Sequence, residues 1–268
     1  MAYTSIYEYM DGMNICVKSS SKEFKTDRAL EELGADDLEM LKFICEYGIV
    51  TTKFLNVYKE RIELTGYGFT SRLKQYKENG LIDSCYMQMP NGERTVNMYA
   101  LTNGAAAYFK EYFGLEGSIC IGVLDSTEQE DVLPLLKKMA LNQFLVCSLN
   151  IKKYQVVTNK LYDAVIEYDN DPMAYYVKVL RNEDGDIAET IEFINHAKAE
   201  ISGKGSVILL CEYYGLMVEL CQNIKGIEDG IELYFQCDIG ALESPGSFRR
   251  VLAGTDSYII TSKSRLKS

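Results

Sequence analysis

The stretch from Gly68 to Ala105, GFTSRLKQYKENGLIDSCYMQMPNGERTVNMYALTNGA, decides the fold of the N-terminal half. Phe69, Leu73 and Tyr76 recur at helical spacing, which predicts a helix with one apolar face that ends before Gly80. Two alternating runs follow, LIDSCYMQM and RTVNMYALT, and the Asn-Gly pair between them is typical of a β-hairpin turn. The stretch therefore predicts a helix, a hairpin and then a further helix, GAAAYFKEYF.

Two more helices are predicted upstream of this stretch. The runs DDLEMLKFICEYG and TTKFLNVYKE carry apolar residues on one face, and the second begins with a Thr cap. Before them, SIYEYMDGMNICVK predicts a hairpin around Asp11-Gly12, and SSSKEFKTDRALEEL predicts a short helix. Three helices followed by a hairpin is the order of a winged helix, an elaborated helix-turn-helix. We assign residues 36–113 to a winged-helix DNA-binding domain and residues 1–35 to the N-terminal hairpin and short helix.

A second domain is predicted after an acidic, Gly-punctuated linker at residues 114–127. It begins with a long helix, VLPLLKKMALNQFLVCSL, and continues with three strand-like runs, IKKYQVVT, LYDAVIEY and AYYVKVL. The helix DIAETIEFINHAKAEI, the buried strand SVILLC, the helix YGLMVELCQNI and the strands GIELYFQC and SYIIT follow. The αβββαβ order predicts a mixed sheet with helices on its faces over residues 128–268. The expected fold class is therefore α+β or α/β in two domains.

The order of these elements and one short motif resemble a known family. The hairpin ends in Tyr99-Ala100-Leu101-Thr102 with Gly104 two residues later, which is similar to the Tyr-x-Leu-Thr-x-x-Gly motif of the replication-relaxation family of plasmids and conjugative elements. In that family a winged helix precedes a domain that resembles the PD-(D/E)XK (restriction-endonuclease-like) nuclease fold. The resemblance covers roughly residues 36–211, and it implies a DNA-binding protein that acts in replication, transfer or transcription control.

The same resemblance implies positions for a nuclease site. Active nucleases of that fold bind a divalent metal through an Asp on one strand and an acid two residues before a Lys on the next strand. Asp163 and Lys178 match the first and last of these positions, so they are the candidate catalytic residues, and Asp163 and Glu167 are the candidate metal ligands. Tyr176 stands where the acid would be, and a phenol with a pKa of about 10 is a poor Mg²⁺ ligand. The domain is therefore expected to be catalytically degenerate, unless Glu167 or Asp169 replaces the missing acid.

The charge of the chain is distributed unevenly. The formal net charge is −11, with −3 over residues 1–114 and −8 over residues 115–268. Residues 51–80 are a local exception, because six basic residues there face only three acidic ones. Nucleic-acid binding depends on this local footprint rather than on the total charge. The net negative charge argues against non-specific binding along nucleic acid. It is compatible with one local surface that contacts nucleic acid.

The candidate DNA-binding residues lie on the helix of the opening stretch, on the helix before it and beside the hairpin turn. We expect contacts from Thr70, Ser71, Arg72, Lys74, Gln75, Lys77, Lys53 and Arg94. The alternative for the helix is a solvated charged face, and the alternative for Arg94 is a tight turn with no contact to a minor groove. The basic tail with Lys263, Arg265 and Lys267 is either a phosphate-contacting arm or a frayed end.

The cysteines, the single histidine and the apolar runs of the chain exclude several kinds of site and location. Eight scattered cysteines, one histidine (His196) and the absence of an apolar run long enough to cross a bilayer predict a cytoplasmic protein without membrane contact or a zinc site. No P-loop or GxSxG motif occurs, so no cofactor is expected; Mg²⁺ would be needed only by a nuclease. His196 has no recognisable catalytic partner in the sequence.

Three functions remain open from the sequence. The first is a non-enzymatic DNA-binding protein of a mobile element, binding double-stranded DNA as a homodimer and recruiting a replication or transfer protein. The second is a Mg²⁺-dependent nuclease or relaxase accessory enzyme that uses Asp163 and Lys178. The third is a protein-interaction adaptor in which the winged helix is only a scaffold and the acidic second half faces a basic partner.

Overall fold

The computed structural model of the chain resolves two compact units, which divide at Val132 and Leu133, at the start of a helix. It describes residues 13–18, 23–24, 31–64, 68–115, 132–148, 151–156, 161–169, 171, 173–181, 185–201, 205–224, 231–238, 247–251 and 258–262. Both units mix helices with strands, so the α+β prediction is confirmed. The predicted linker lies almost wholly outside the described residues.

The N-terminal unit contains the helices that the apolar periodicity predicts. They are α1 (Ala35–Tyr47), α2 (Thr52–Arg61), α3 (Phe69–Glu78) and α4 (Asn103–Tyr112). Two of them begin at Thr caps, including the one predicted for α2: Thr51 Oγ1 accepts from the backbone N–H of Phe54 at 3.1 Å, and Thr102 Oγ1 accepts from that of Ala105 at 3.3 Å. These caps satisfy backbone donors that have no partner inside the helix. Local sequence is therefore enough to start α2 and α4.

A four-stranded antiparallel sheet completes this unit. Its strands are β1 (Asn14–Lys18), β2 (Val50–Thr51), β3 (Ile82–Gln88) and β4 (Arg94–Leu101), and their order in the sheet is β1-β3-β4-β2. The hairpin predicted in the opening stretch is confirmed as the β3–β4 pair. β1 pairs along β3, with Cys16 opposite Tyr86. The first strand and turn of the hairpin predicted near the N-terminus, and most of the short helix after it, lie outside the described residues.

Apolar side chains from the helices and from one face of this sheet form the core of the unit. Met40 and Leu41 of α1, Leu55 of α2, Met98 of β4 and Phe109 of α4 have no solvent exposure. The other face of β1, β3 and β4 carries polar and aromatic side chains that are exposed or half-buried. One covered face and one wetter face are typical of an antiparallel sheet.

The second unit is built around a seven-stranded mixed sheet. Its helices are α5 (Val132–Cys147), α6 (Asp186–Ile201) and α7 (Tyr214–Asn223). Its strands are β5 (Ile151–Val156), β6 (Ala164–Tyr168), β7 (Ala174–Leu180), β8 (Gly205–Cys211), β9 (Glu232–Cys237), β10 (Ser247–Val251) and β11 (Tyr258–Ser262). They follow one another in space in chain order. The three central strands β7, β8 and β9 are parallel, and the outer pairs are antiparallel.

The helices α6 and α7 connect the parallel strands and share one apolar cluster with them. Phe193 and Ile194 of α6 and Leu216 of α7 pack against Leu209 of β8 and Phe235 of β9. All seven residues of β8 are buried, as expected for a parallel strand covered on both faces. The order α5-β5-β6-β7-α6-β8 matches the order of elements predicted from the sequence. The strand β10 was not predicted.

Candidate nucleic-acid interface

Helix α3 is anchored on the N-terminal unit by its apolar face and by one buried hydrogen bond. Leu73 is 7% exposed and Tyr76 is 1% exposed. The Tyr76 hydroxyl donates to Asp37 Oδ1 of α1 at 2.6 Å. Because Asp37 is itself only 1% exposed, this bond joins α1 and α3 inside the core. One side of α3 is therefore fixed, and the opposite side is turned toward solvent.

Arg72, a predicted DNA contact, lies beside the same buried carboxylate. Its Nε is 3.4 Å from Asp37 Oδ1, and its Nη1 donates to Gln75 Oε1 at 2.9 Å. The other carboxylate oxygen, Asp37 Oδ2, accepts from the backbone N–H of Gly34 at 2.9 Å and so caps α1. Arg72 thus stabilises the α1–α3 packing, and with 37% of its side chain exposed it also reaches the surface.

The N-terminal half of α3 presents short polar side chains and one lysine. Thr70, Ser71 and Lys74 are exposed, and Ser71 Oγ donates to the Gly68 carbonyl at 2.7 Å. Lys74 is 79% exposed, and its Nζ is 3.9 Å from Glu78 Oε1 one turn later. An exposed ion pair at this distance contributes little to stability and is easily opened. These three side chains are the part of the predicted DNA-contacting set that is brought together on one exposed surface.

The remaining predicted contacts of α2 and α3 are spread over other surfaces. Gln75 Nε2 donates to Glu32 Oε2 at 3.4 Å, in an exposed contact with the segment before α1. Lys77 Nζ donates to Ser84 Oγ of β3 at 2.6 Å, so its ammonium lies beside the sheet. Lys53 is exposed in the first turn of α2. Sequence spacing on the helix could not separate these directions, because it does not show which neighbours each face meets.

The turn between β3 and β4 is tight, and Arg94 leaves it toward the sheet. The backbone N–H of Gly92 donates to the Met89 carbonyl at 2.8 Å, and Gly92 has a φ of 84°, a value that favours glycine. Arg94 follows the turn as the first residue of β4, and its Cζ lies 4.5 Å from the centre of the Tyr86 ring. Lys18 Nζ of β1 lies 5.5 Å from the same centre. Arg94 therefore lies over the sheet face and not at the tip of the turn.

Sequence reasoning missed three residues of this unit. Asp37 was treated only as the start of a helix, and Lys18 and Tyr86 only as strand residues. The role of Asp37 depends on packing against α3, and the meeting of Lys18, Tyr86 and Arg94 depends on the pairing of three strands. No local signal in the sequence encodes either relationship.

In the second unit, Asp163 acts as an extension of strand β6. Its backbone N–H donates to the Val177 carbonyl at 2.8 Å, and its Oδ2 accepts from the backbone N–H of Val179 at 2.7 Å. The carboxylate thus takes the place of a ladder carbonyl beyond the end of the strand. Burial raises the pKa of Asp163 above its usual value, against the opposing effects of the Val179 hydrogen bond and of the Lys178 charge. One oxygen of the predicted first metal ligand therefore accepts a backbone hydrogen bond.

The side chains at the other nuclease-like positions also contact groups other than Asp163. Lys178 Nζ lies 3.7 Å from Glu189 Oε2 of α6 and 5.9 Å from the centre of the Phe193 ring. The ring of Tyr176 meets that of Tyr162 edge to face, with 5.2 Å between the ring centres. Glu167 follows Asp163 by four residues along an extended strand, a separation of about 13 Å between their Cα atoms. Within the described residues, no three His, Cys, Asp or Glu side chains form a group that could hold a metal ion.

Three buried charged residues of the second unit lie close together, which the sequence did not predict. Arg181, Glu212 and Asp238 directly follow β7, β8 and β9, so they lie together at the carboxyl ends of the three parallel strands. All three are at most 5% exposed. Arg181 Nη2 lies 3.1 Å from Asp238 Oδ1, and Gln143 Nε2 of α5 donates to the Asp238 carbonyl at 3.0 Å. Ligands often bind at such strand ends, and here an internal ion pair lies there.

Comparison with known proteins gave no match, whether to a family model, to a curated protein or to a solved structure. The similarity to the replication-relaxation family therefore stays a prediction from the sequence. Among the described helices, none is long and apolar enough to cross a membrane. His196 is exposed on α6.

Proposed function

We propose that this chain is a non-enzymatic protein that binds double-stranded DNA through its N-terminal unit, with α3 in the major groove and the β3–β4 hairpin beside it. The observation that carries the proposal is the orientation of α3. Tyr76 holds one side of the helix on Asp37, while Thr70, Ser71 and Lys74 lie exposed near its N-terminal end. In helix-turn-helix proteins, residues near the N-terminus of the recognition helix contact base edges. The order of three helices and a hairpin supports the same assignment.

The charges near α3 support a directed contact rather than general nucleic-acid coating. The chain as a whole carries a net charge of −11, which repels a polyanion. Lys74 and Lys53 are nevertheless exposed on α3 and α2, and Arg72 reaches the surface from its buried partner. A carboxylate that holds a guanidinium in place lowers the entropy lost when the guanidinium binds a phosphate. We expect Arg72 to contact a phosphate in the position that Asp37 gives it.

The setting that we propose is control of replication, transfer or transcription in a plasmid or conjugative element. This part of the proposal rests on the Tyr99-Ala100-Leu101-Thr102 motif and on the order of elements in the second unit. We propose that the second unit does not cleave DNA and instead forms a homodimer or recruits a replication or transfer protein. The absence of an acid at Tyr176 and the backbone contact of Asp163 support that assignment.

Electrophoretic mobility shift with a random-sequence duplex pool, followed by sequencing of the retained DNA, tests the proposal. We expect Lys74→Ala to weaken the selected complex and to lower the slope of affinity against salt by about 0.9, the value for one phosphate contact in duplex DNA. Thr70→Ala and Ser71→Ala should change which sequences are retained. The matched control is Lys153→Ala, which removes an exposed lysine from β5 of the other unit.

Two results would overturn the proposal. One is a wild-type chain that retains no duplex above a control without protein at moderate salt, which would favour the protein-adaptor hypothesis. The other is a selected complex that Lys74→Ala leaves unchanged in affinity and in salt slope.

A further inference from the structure

The outward face of the N-terminal sheet carries an unusual combination of side chains for so acidic a chain. We propose that this surface binds a single-stranded nucleic acid, and we call it the sheet face. It is defined by six residues, Lys18, Lys77, Ser84, Tyr86, Arg94 and Tyr99. The proposal is separate from duplex binding by α3, because it rests on different residues and a different kind of ligand.

Strand pairing brings the members of the sheet face together. Lys18 of β1 pairs with Ser84 of β3, and Ser84 pairs with Tyr99 of β4. Tyr86 comes two residues after Ser84 and therefore points to the same side of the sheet. Arg94 pairs with Gln88, the next outward residue of β3, and its guanidinium lies 4.5 Å from the centre of the Tyr86 ring. The three strands thus place two positive charges within about 6 Å of one aromatic ring.

The charge of this face is opposite to that of the chain. Lys18 and Arg94 are exposed, and Lys77 reaches the face through its 2.6 Å hydrogen bond to Ser84 Oγ. None of the outward positions that the structure describes on β1, β3 and β4 carries a carboxylate. The acid next to Arg94 in the chain, Glu93, lies in the turn and accepts from Asn91 Nδ2 at 3.4 Å. A local positive surface in a chain of net charge −11 indicates a polyanionic ligand.

The aromatic side chains of the sheet face indicate a polyanion whose bases are accessible for stacking. Tyr86 and Tyr99 lie on neighbouring strands and on the same face, as diagonal neighbours about 7–8 Å apart. Both are half-buried, so part of each side chain meets solvent. Sheets that bind single strands use aromatic residues on neighbouring strands to stack bases, and an arginine plane can stack a base as well. Bases of a duplex are already stacked on one another, so a duplex would use only the cations of this face.

Fluorescence anisotropy with the full chain and labelled oligo-dT of about 12 nucleotides tests the proposal, since binding sites for single strands commonly span 4–16 nucleotides. We expect Tyr86→Leu to weaken binding about tenfold, because it removes the ring on which a base would stack. Tyr86→Phe keeps the ring and should bind within about twofold of the wild type. Lys18→Ala and Arg94→Ala should each lower the salt slope by about 0.7, the value for one phosphate contact in a single strand.

The controls separate this proposal from duplex binding and from general charge effects. Lys152→Ala removes an exposed lysine from β5 and should leave oligo-dT binding unchanged. Lys74→Ala should weaken duplex binding and leave oligo-dT binding unchanged. Oligo-rU of the same length shows whether the sheet face prefers RNA or DNA, and binding of either one by this face supports the proposal.

Three results would overturn the proposal. The first is a wild-type chain that binds neither oligo-dT nor oligo-rU. The second is single-strand binding that Tyr86→Leu, Arg94→Ala and Lys18→Ala all leave unchanged. The third is single-strand binding that Lys74→Ala weakens as much as these variants do, which would place the strand on α3.

Discussion

The Tyr76 hydroxyl donates to Asp37 Oδ1 at 2.6 Å, and both side chains are only 1% exposed. This bond joins the first helix to the helix that we propose to contact DNA. The same carboxylate faces Arg72 and caps the first turn of its own helix through the Gly34 N–H. A single buried group therefore sets the position of α3 and the direction of its arginine.

Substitution of this carboxylate should destabilise the N-terminal unit. Asp37→Ala leaves the buried Tyr76 hydroxyl without that acceptor and removes the charge partner of Arg72, for an expected loss of about 2–4 kcal/mol. Arg72→Ala should cost about 1 kcal/mol or less, because this arginine is partly solvated. The chain contains no Trp, so hydrogen exchange of α1 and α3 amides is a suitable measurement.

Asp36→Ala is the matched control for Asp37. Asp36 occupies the same turn but is exposed, so its loss should change stability by no more than about 0.5–1 kcal/mol. Equal effects of the two substitutions would contradict the role that we assign to Asp37.

Asp163 should make a pH-dependent contribution to the stability of the second unit. Burial raises its pKa above 3.8 in the folded chain. Between 3.8 and that raised value the folded chain binds more protons than the unfolded chain, so this contribution to stability falls as the pH rises through the window. Asp163→Asn removes the titration and keeps an oxygen that can accept from Val179. We therefore expect Asp163→Asn to weaken the pH dependence of the unfolding free energy, measured by urea unfolding at several pH values. It should be at least as stable as the wild type at neutral pH.

Two further variants complete that experiment. Asp163→Ala should be about 1–2 kcal/mol less stable than Asp163→Asn at every pH, because the Val179 N–H then has no side-chain oxygen to bind. Asp169→Asn removes an exposed carboxylate nearby in the chain and should keep the wild-type pH dependence of stability. If the pH dependence of the unfolding free energy persists in Asp163→Asn, groups other than Asp163 cause it.

Removing only one partner of the Arg181–Asp238 ion pair should strongly destabilise the second unit. Arg181 has no solvent exposure, so Arg181→Met leaves the Asp238 carboxylate buried without this partner, and we expect a loss of about 3–5 kcal/mol. The double variant Arg181→Met with Asp238→Leu removes both charges and should be more stable than Arg181→Met. Urea unfolding followed by circular dichroism measures both, and an additive double variant would argue against coupling.

The start of β8 should tolerate no side chain. A Cβ on Gly205 would lie 2.6 Å from the Ala174 carbonyl oxygen of β7, a backbone atom that cannot move without disturbing the parallel pair. We expect Gly205→Ala to destabilise the second unit by about 1–3 kcal/mol in thermal unfolding.

Gly104→Ala is the matched control for Gly205. A Cβ on Gly104 would meet Phe24 at 3.5 Å, an ordinary contact, and alanine is a better helix former than glycine. This variant should be neutral or more stable by up to about 1 kcal/mol. Equal losses at the two glycines would contradict the close approach at β8.

Most helices and strands could be predicted from the sequence, because their signals are local. The repeat of Phe69, Leu73 and Tyr76 predicted α3, and the Asn-Gly turn predicted the β3–β4 hairpin. The strand β10 was missed, since SFRRV has no clear alternation and its place depends on pairing with β9 and β11. The candidate site was predicted only as a set of residue types on two helices and beside the hairpin turn, without the partners that each side chain contacts.

The sequence by itself determined the order of elements, the acidic total and the local excess of basic residues in 51–80, since these depend only on which residues follow one another. The tertiary structure decided what each charge faces. Packing of α1 on α3 brings Arg72 to Asp37, and the pairing of β1, β3 and β4 brings Lys18 and Arg94 to Tyr86. These partners are distant in the chain, and burial and strand register, which no local pattern encodes, bring them together.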